Sequence, residues 1–139
     1  MKEIVIILRC LQLFAHNAHN TVARVIFFQD HEFLNEVYTA AETDYDSVIE
    51  RIIGLFGSES INLNEIQVMA VQKLNKLPTQ VKENSTLMQI ILELEKELCM
   101  HIEQIVRQNG ITVGTEQMLG DIADKSEVRQ YKLNQRIKK

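Results

Sequence analysis

Two imidazoles and two carboxylates stand in this sequence where they could share a metal ion. His19 and His31 lie twelve residues apart, and Asp46 and Glu50 follow, four residues apart from each other. Residues four apart on a helix project from the same face, so both carboxylates would point the same way. Nitrogen and oxygen ligands of this kind suit a borderline divalent ion such as Fe²⁺.

One chain cannot gather all four side chains around one ion. Asp46 lies fifteen residues beyond His31, which is about 22 Å along a continuous helix rising 1.5 Å per residue. If the four residues form a single site, the carboxylates must come from a second chain. An antiparallel two-fold pairing of the second helices would bring the histidines of one subunit to the carboxylates of the other, and symmetry would give two sites per dimer.

The segments that must position these residues are helical. Apolar residues recur at every third or fourth position over most of the chain. This spacing predicts helices over about Ile4 to Val22, Asp30 to Gly57, Asn64 to Leu74, Ser85 or Thr86 to Asn109–Gly110, and Thr115 to Ile137. Asn64 and Thr115 are the predicted N-caps of their helices, and Gly57 is predicted to close the second helix in a left-handed conformation.

These elements predict an all-α, four-helix bundle with a short extra helix in the connection between the second and third long helices. We expect residues 1–139 to form a single domain. The long middle connection lets the two helices it joins run in the same direction, which is the ferritin-like arrangement. An ordinary helical bundle would show the same periodicity, so the architecture alone does not decide the function.

Composition excludes several classes of protein. The chain has 139 residues, 45% of them hydrophobic and 24% charged, with one proline and five glycines. It is too apolar for a disordered chain and too poor in proline and glycine for a loop-rich all-β fold. A formal net charge of −4 gives no general electrostatic reason to expect nucleic-acid binding.

The cellular address is predicted to be the cytoplasm. The apolar run from Ile4 to Leu8 is interrupted by Arg9 and Gln12, far short of the roughly 20 residues that span a bilayer. No small-residue cleavage site follows that run at the distance typical of a signal peptide. Cys10 and Cys99 lie in apolar periodic segments and are predicted to be reduced, a disulfide being the less favoured alternative.

A family resemblance rests on the four candidate ligands. The spacing of His19, His31, Asp46 and Glu50 resembles the ferroxidase signature of the Dps family of mini-ferritins. The aromatic-rich stretch from Phe27 to Phe33 resembles the connection around that family's second histidine. Glu50 followed by arginine resembles the pair that closes the signature.

The resemblance implies a role for each matched residue. It makes His19 an iron ligand and His31 a second ligand, acting directly or through water. Asp46 and Glu50 would come from the partner subunit, with Glu50 bridging to a second, weaker metal position. The implied reaction is oxidation of non-haem Fe²⁺ to Fe³⁺ by hydrogen peroxide or oxygen. Ferric mineral would then be stored in a homo-oligomeric shell of twelve subunits. Consuming peroxide together with Fe²⁺ would also limit oxidative damage.

Several positions depart from the family pattern. Asn20 and Asn35 stand where an aromatic and an acidic residue are often found, and no glycine occurs from Val22 to Ile26. These changes affect the loop and the residues that orient the ligands. Asp121 resembles one carboxylate of the family's iron-entry pore, although Gln117 replaces one of its usual neighbours there.

Other readings of the same residues stay open. His16, one turn before His19, could be an alternative ligand, but a polar role beside the site is favoured. Glu97 and His101 form another pair four residues apart that could bind a metal, but they are interpreted as ordinary surface residues. Asp46 and Glu50 could also be an ordinary solvated helix face.

Two other functions stay open as well. A basic C-terminus could bind DNA, as basic tails do in some members of that family, although a solubilising helix end is preferred; it comprises Lys132, Arg136, Lys138 and Lys139. The alternative function is therefore a DNA-binding or scaffolding cage with degenerate iron chemistry. A third is a helical interaction module in which the ligand match is accidental.

Overall fold

Five α-helices make up the chain in a computed structural model that describes residues 1–138. No β-strand occurs in this range. The helices are α1 (Lys2–Thr21), α2 (Phe27–Phe56), α3 (Leu63–Asn75), α4 (Asn84–Arg107) and α5 (Val113–Ile137), with a single 3₁₀ turn at Ser58–Ser60. The all-α class and the number of helices are therefore as predicted. None of the helices formed by residues 1–138 is long and apolar enough to cross a membrane.

Two helices begin at caps that lie two and three residues before the predicted ones. Asn62 caps α3, since its side chain accepts a hydrogen bond from the backbone N–H of Glu65 at 3.1 Å. Thr112 caps α5 by accepting from the N–H of Thr115 at 3.1 Å. The predicted caps, Asn64 and Thr115, lie inside the first turns, because each segment offers two capping residues and periodicity cannot choose between them.

The end of α2 corrects the prediction, whereas the end of α4 agrees with it. Gly57 follows α2 with φ 91° and ψ 161°, so it has the positive φ expected of it but an extended ψ. This combination is essentially restricted to glycine. The helix α4 ends at Arg107, close to the predicted end at Asn109–Gly110, and Asn109 is left-handed at φ 59°, which agrees with the tolerance of asparagine for that conformation.

Two apolar clusters fix the directions of the four long helices. The first, here called the proximal cluster, joins the C-terminal part of α1 to the N-terminal parts of α2 and α4 and the C-terminal part of α5. Its members include Ala18, Val22, Leu34, Leu87, Ile91 and Leu133. The second, here called the distal cluster, joins the opposite ends of the same helices through residues that include Ile4, Ile52, Ile102, Leu119 and Ile122. Consequently α2 and α4 run in the same direction, and α1 and α5 run against them.

The predicted short helix is present in the middle connection as α3. Ile66 and Ala70 are its buried residues, and α3 packs against α1. By crossing the outside of the bundle, the segment from Gly57 to Glu83 carries the chain back to the end where α2 began. That return path is what allows α2 and α4 to be parallel.

A buried polar layer separates the proximal cluster from the distal one. Glu95 of α4 is fully buried and accepts hydrogen bonds from Arg129 Nε at 2.5 Å and Nη2 at 3.1 Å, and from Ser126 Oγ at 2.5 Å. Asp44 of α2 is buried at the same level of the bundle. Although burial alone would lower it, the pKa of Arg129 is raised above its ordinary value by the hydrogen bonds and charge of Glu95.

Removing one member of this ion pair should cost far more than removing both. We expect Arg129→Met to lower the free energy of unfolding by about 3–5 kcal/mol, because it leaves the Glu95 carboxylate buried without a partner. Glu95→Leu/Arg129→Met should recover most of that loss. Urea denaturation would measure both. The control is Arg107→Met, which breaks the exposed pair with Glu103 and should cost less than about 1 kcal/mol. Equal losses in the single and double variants would contradict the prediction.

Candidate metal centre

A short turn between α1 and α2 brings the two candidate histidines together. The helix α1 ends at Thr21, and the N–H of Phe27 already donates to the carbonyl of Arg24 at 3.0 Å to start α2. The second helix therefore begins three residues before Asp30, where it was predicted to start. Arg24 makes this tight reversal at φ 78°, in the region where a glycine would be unstrained.

A buried carboxylate holds that turn against the rest of the bundle. Asp30 is 3% exposed and accepts two hydrogen bonds from Arg136 of α5, both at 2.9 Å. Asn84, at the start of α4, donates to Asp30 at 3.0 Å and to the carbonyl of Ala23 at 2.9 Å. The residue immediately before His31 thus connects α2 to α4, α5 and the turn.

His19 and His31 face each other across the junction of α1 and α2. Their ring centroids are 3.6 Å apart, with the ring planes inclined at 37°. Both side chains are half-buried. Nδ1 of His19 also lies 3.4 Å from the side-chain oxygen of Asn20. Two imidazoles from different helices therefore lie in direct contact at the surface of one chain.

Aromatic side chains surround the histidine pair. Tyr38 lies edge-on to His19 at 5.3 Å between centroids and stacks on His16 at 4.4 Å. Phe27 lies 4.9 Å from His31 and packs on the proximal cluster. His16 is exposed and its ring is 6.2 Å from that of His19. Tyr38 thus contributes a wall beside the pair, and His16 lies at the outer edge.

The aromatic turn was only partly predicted. Because the second helix was predicted to start near Asp30, Phe27 and Phe28 were expected in the connection before it. They begin α2 instead, and Phe28 is 80% exposed. Consecutive side chains on a helix point about 100° apart, so Phe27 and Phe28 cannot both face the core.

The two candidate carboxylates lie on the same helix as His31 but far from it. Asp46 and Glu50 are both exposed, and α2 is continuous from Phe27 to Phe56. Along it, Glu50 lies nineteen residues from His31, or about 28 Å. Among residues 1–138, neither carboxylate has a side-chain hydrogen bond or an ion pair.

The structure therefore brings the two histidines into contact but leaves both carboxylates far from them. Within residues 1–138, no group of three or more His, Cys, Asp or Glu side chains is arranged to hold a metal ion. This agrees with the distance argument that one chain is insufficient. Completion of the set by a second chain stays a prediction.

The sequence did not identify the carboxylates inside the bundle, Asp44 and Glu95. Asp44 was not singled out from the sequence, yet it is 6% exposed, and its Oδ2 has no hydrogen-bond partner within the described range. Burial raises its pKa above the ordinary 3.8, against the opposing charges of Arg129 and Lys125. The available signal was the spacing of Ser126 and Arg129, which continue the three- and four-residue spacing of Ile122 and Leu133 on the inward face of the last helix.

The bundle interior is a poor place for a cation. Arg129 already neutralises Glu95 and lies near Asp44, so a metal ion there would have to displace a buried guanidinium. The thiols are no better, because burial raises the pKa of Cys10 to about 11 and also raises that of Cys99. Both cysteines are free and stay protonated near neutral pH.

Glu97 and Asp121, which the sequence also singled out, both lie near cationic side chains. Glu97 is half-buried and forms an ion pair with Lys73 at 2.7 Å, so it is a less solvated residue than predicted. Asp121 is exposed and lines an open recess between α2 and α5 together with Arg51 and Lys125. The two cations in that recess distinguish it from a purely acidic path for metal ions.

Comparison with known proteins yields no family assignment. No family model matches the chain, and no similar chain was found among curated proteins or solved structures. The function must therefore be argued from the side chains themselves.

Relieving the strained turn beside the histidine pair should stabilise the protein. Replacing Arg24 by glycine removes the left-handed strain, which is only partly offset by the greater freedom of glycine in the unfolded chain. We expect the free energy of unfolding to rise by about 0.5–1 kcal/mol in chemical denaturation. Arg24→Lys keeps both the charge opposite Glu83 and the strain, so it is the control. A glycine variant no more stable than the lysine variant would refute the strain argument.

Asp44 should make stability depend on pH in a direction opposite to that of most carboxylates. A raised pKa means that the folded state binds the Asp44 proton more tightly than the unfolded chain does. The stabilisation that results is greatest below pH 3.8 and is lost as pH rises through the folded-state pKa. Asp44→Asn should therefore gain stability relative to the wild type as the pH rises from 3.8 through the folded-state pKa. Thermal unfolding across this range would measure the difference, with Asp124→Asn as the control for losing one exposed charge. A constant difference would contradict the prediction.

Proposed function

We propose that this chain is a ferritin-like, Dps-type mini-ferritin that oxidises Fe²⁺ at sites shared between two subunits. The observation that carries the proposal is the contact between His19 and His31, two imidazoles brought 3.6 Å apart between ring centroids by the α1–α2 turn. Imidazole is a common ligand of Fe²⁺. Asp46 and Glu50 are the unpaired, exposed carboxylates that would complete the coordination.

The arrangement of the helices supports the proposal. The two helices joined by the long connection run in parallel, and a short helix lies in that connection. Ferritin-like bundles have one such crossover. In the larger di-iron bundles of this type, the metals lie inside a single bundle. Here the interior is occupied by the Glu95–Arg129 ion pair, so a site at the surface is the one compatible with the charges present.

A two-fold axis near the middle of α2 would assemble the full ligand set. Halfway between His31 and the two carboxylates lies the region of residues 39 and 40. If two copies of α2 cross there in antiparallel fashion, His31 of each faces Asp46 and Glu50 of the other. Each pair of subunits then contains two sites, and a closed shell of twelve subunits would contain six such pairs.

The ligands suit both oxidation states of the substrate. Histidine holds Fe²⁺, and carboxylates favour the harder Fe³⁺ that the reaction forms. With hydrogen peroxide as the oxidant, two Fe²⁺ ions each lose one electron, the O–O bond breaks, and two protons complete two molecules of water. Asp46 and Glu50 would stabilise the added positive charge as it develops.

The DNA-binding alternative gains no support from the basic C-terminus. Arg136 is held by Asp30, and Lys132 forms an ion pair with Glu36 at 3.2 Å. Lys138 is exposed, and Lys139 lies outside the described residues. Two of the four cations are therefore engaged within the bundle rather than free for phosphate contacts.

Aerobic Fe²⁺ oxidation, followed by absorbance near 300 nm, tests the proposal. We expect His19→Ala/His31→Ala and Asp46→Ala/Glu50→Ala each to lower the initial rate by at least about tenfold, because changes even beyond the direct ligands cost 10–100-fold. The control is Asp124→Ala/Glu127→Ala, which removes two exposed carboxylates of α5. A wild-type rate equal to that of buffer would overturn the proposal.

Mixing the two inactive variants tests whether the site is shared. After the subunits exchange, about half of the pairs contain one chain of each kind, and one of the two sites in each such pair has all its ligands. The mixture should therefore recover about a quarter of the wild-type rate. No recovery, with exchange verified by mass spectrometry, would mean that the ligands do not come from two chains.

A further inference from the structure

The recess between α2 and α5 is lined by charged side chains that do not pair with one another. Its volume is about 360 Å³. Two of its side chains are cations, Arg51 and Lys125, and two are carboxylates, Asp44 and Asp121. Among residues 1–138, none of these four forms an ion pair or a side-chain hydrogen bond. The two positive and two negative formal charges therefore cancel in sum but remain apart in space.

Asp44 is the group in this recess that most needs a partner. Its side chain is only 6% exposed, and its Oδ2 has no hydrogen-bond partner within residues 1–138. A buried polar group that lacks a partner is costly, and native proteins satisfy nearly all such groups. An ionised carboxylate only accepts hydrogen bonds. Because Asp44 lines the recess, a ligand that enters there with a hydrogen-bond donor would meet this carboxylate.

The opposite end of the recess favours an anionic group. Arg51 packs so closely on Gly114 that a Cβ at position 114 would lie 3.0 Å from Nη1 of the arginine. Gly114 belongs to the first turn of α5, the positive end of the helix dipole. The cap Thr112 accepts hydrogen bonds from the later N–H groups of Thr115 and Glu116 and does not use the N–H of Gly114. A carboxylate beside the guanidinium would offset both sources of positive potential.

Two helical turns separate the ends of the recess. Asp44 and Arg51 lie seven residues apart on α2, as do Gly114 and Asp121 on α5, which is about 10 Å in each helix. Since the helices are antiparallel and Arg51 contacts Gly114, Asp121 lies at the level of Asp44. Lys125 is at this end too: burial raises the pKa of Asp44, and Lys125 is one of the cations that oppose the rise. One end therefore has a net negative charge and the other a net positive charge.

Neither a metal ion nor a small inorganic anion suits this arrangement. A metal ion at the acidic end would be repelled by Lys125. An inorganic anion such as phosphate would be too short to join groups about 10 Å apart, and it would add negative charge to a chain whose net charge is −4. A molecule with one positive and one negative group adds no net charge and can pair with both ends.

We propose that this recess binds a small zwitterion whose ammonium and carboxylate are several bonds apart, as in an ω-amino acid. The carboxylate binds the guanidinium of Arg51 and the N-terminus of α5. The ammonium donates hydrogen bonds to Asp44 and Asp121. An α-amino acid is too short, because its two charged groups are attached to the same carbon atom. All the contacts come from one chain, so the proposal is independent of the iron chemistry and of assembly.

Isothermal titration calorimetry of the full chain with 4-aminobutyrate at pH 7 tests the proposal. Butyrate and butylammonium are the matched probes, since each keeps the chain length but lacks one charged group. We expect each to bind at least about tenfold more weakly, because it loses one charge-assisted contact. Glycine should also bind more weakly, because it cannot reach both ends. No saturable binding of 4-aminobutyrate, or equal binding of either half-molecule or of inorganic phosphate, would overturn the proposal.

Two substitutions test the ends of the recess separately. Asp44→Asn removes the charge that faces the ammonium, and Arg51→Gln removes the charge that faces the carboxylate. We expect each to weaken the binding of 4-aminobutyrate at least about tenfold. The matched controls are Glu42→Gln on α2 and Arg107→Gln on α4, which change exposed residues outside the recess and should bind like the wild type. Wild-type affinity in either recess variant would contradict the contact assigned to that residue.

Gly114→Ala moves the guanidinium without changing any charge. The added Cβ would displace Nη1 of Arg51, the far end of a flexible side chain, and alanine is the better helix former, so the melting temperature should not fall. We expect the affinity for 4-aminobutyrate to drop at least about threefold, because a charge-assisted contact depends on its geometry. Gly120→Ala, whose Cβ would meet no atom within 4 Å, is the control. Unaltered affinity in Gly114→Ala would refute the position proposed for the carboxylate.

Discussion

The carboxylate of Asp30 ties together the end of the bundle on which the candidate site depends. It lies in the first turn of α2, where the helix dipole favours negative charge, and it binds Arg136 and Asn84. The Asn84 amide also holds the turn through the carbonyl of Ala23. Since His31 follows Asp30 directly, the same contacts that close the bundle also fix the height of His31 relative to α1.

Charge is distributed unevenly between the inside and the outside of the bundle. Inside, Arg129 offsets Glu95, and Ser126 donates a further hydrogen bond to that carboxylate. On the outward side of α2, the exposed carboxylates of Glu32, Glu42, Asp46 and Glu50 have no such partners within residues 1–138, and His31 is next to Glu32 in the chain. A cation is therefore attracted to the surface, where the negative charge is uncompensated, rather than to the interior, where it is already balanced.

The sequence predicted features that depend on neighbours along one helix. The helical class, the short helix α3 and the inward positions of Ser126 and Arg129 all follow from periodicity. The hydrogen bonds of Asp30 could not be predicted in this way, because its partner Arg136 lies 106 residues away and no local pattern connects the two residues. The burial of Asp44 was not predicted for the same reason, since burial depends on which helix packs against the residue. The contact of His19 with His31 needed the geometry of a turn closed by a non-glycine residue.

The rigidity of α2 links two properties of the molecule. One unbroken helix holds His31 and Glu50 at a fixed separation, so neither can move toward the other within a chain. Where ligands from two chains complete one coordination sphere, affinity for the ion and affinity between the chains raise each other by the same factor. Wherever such a shared sphere forms, the fraction of sites that hold an ion and the fraction of chains in the complex depend on each other.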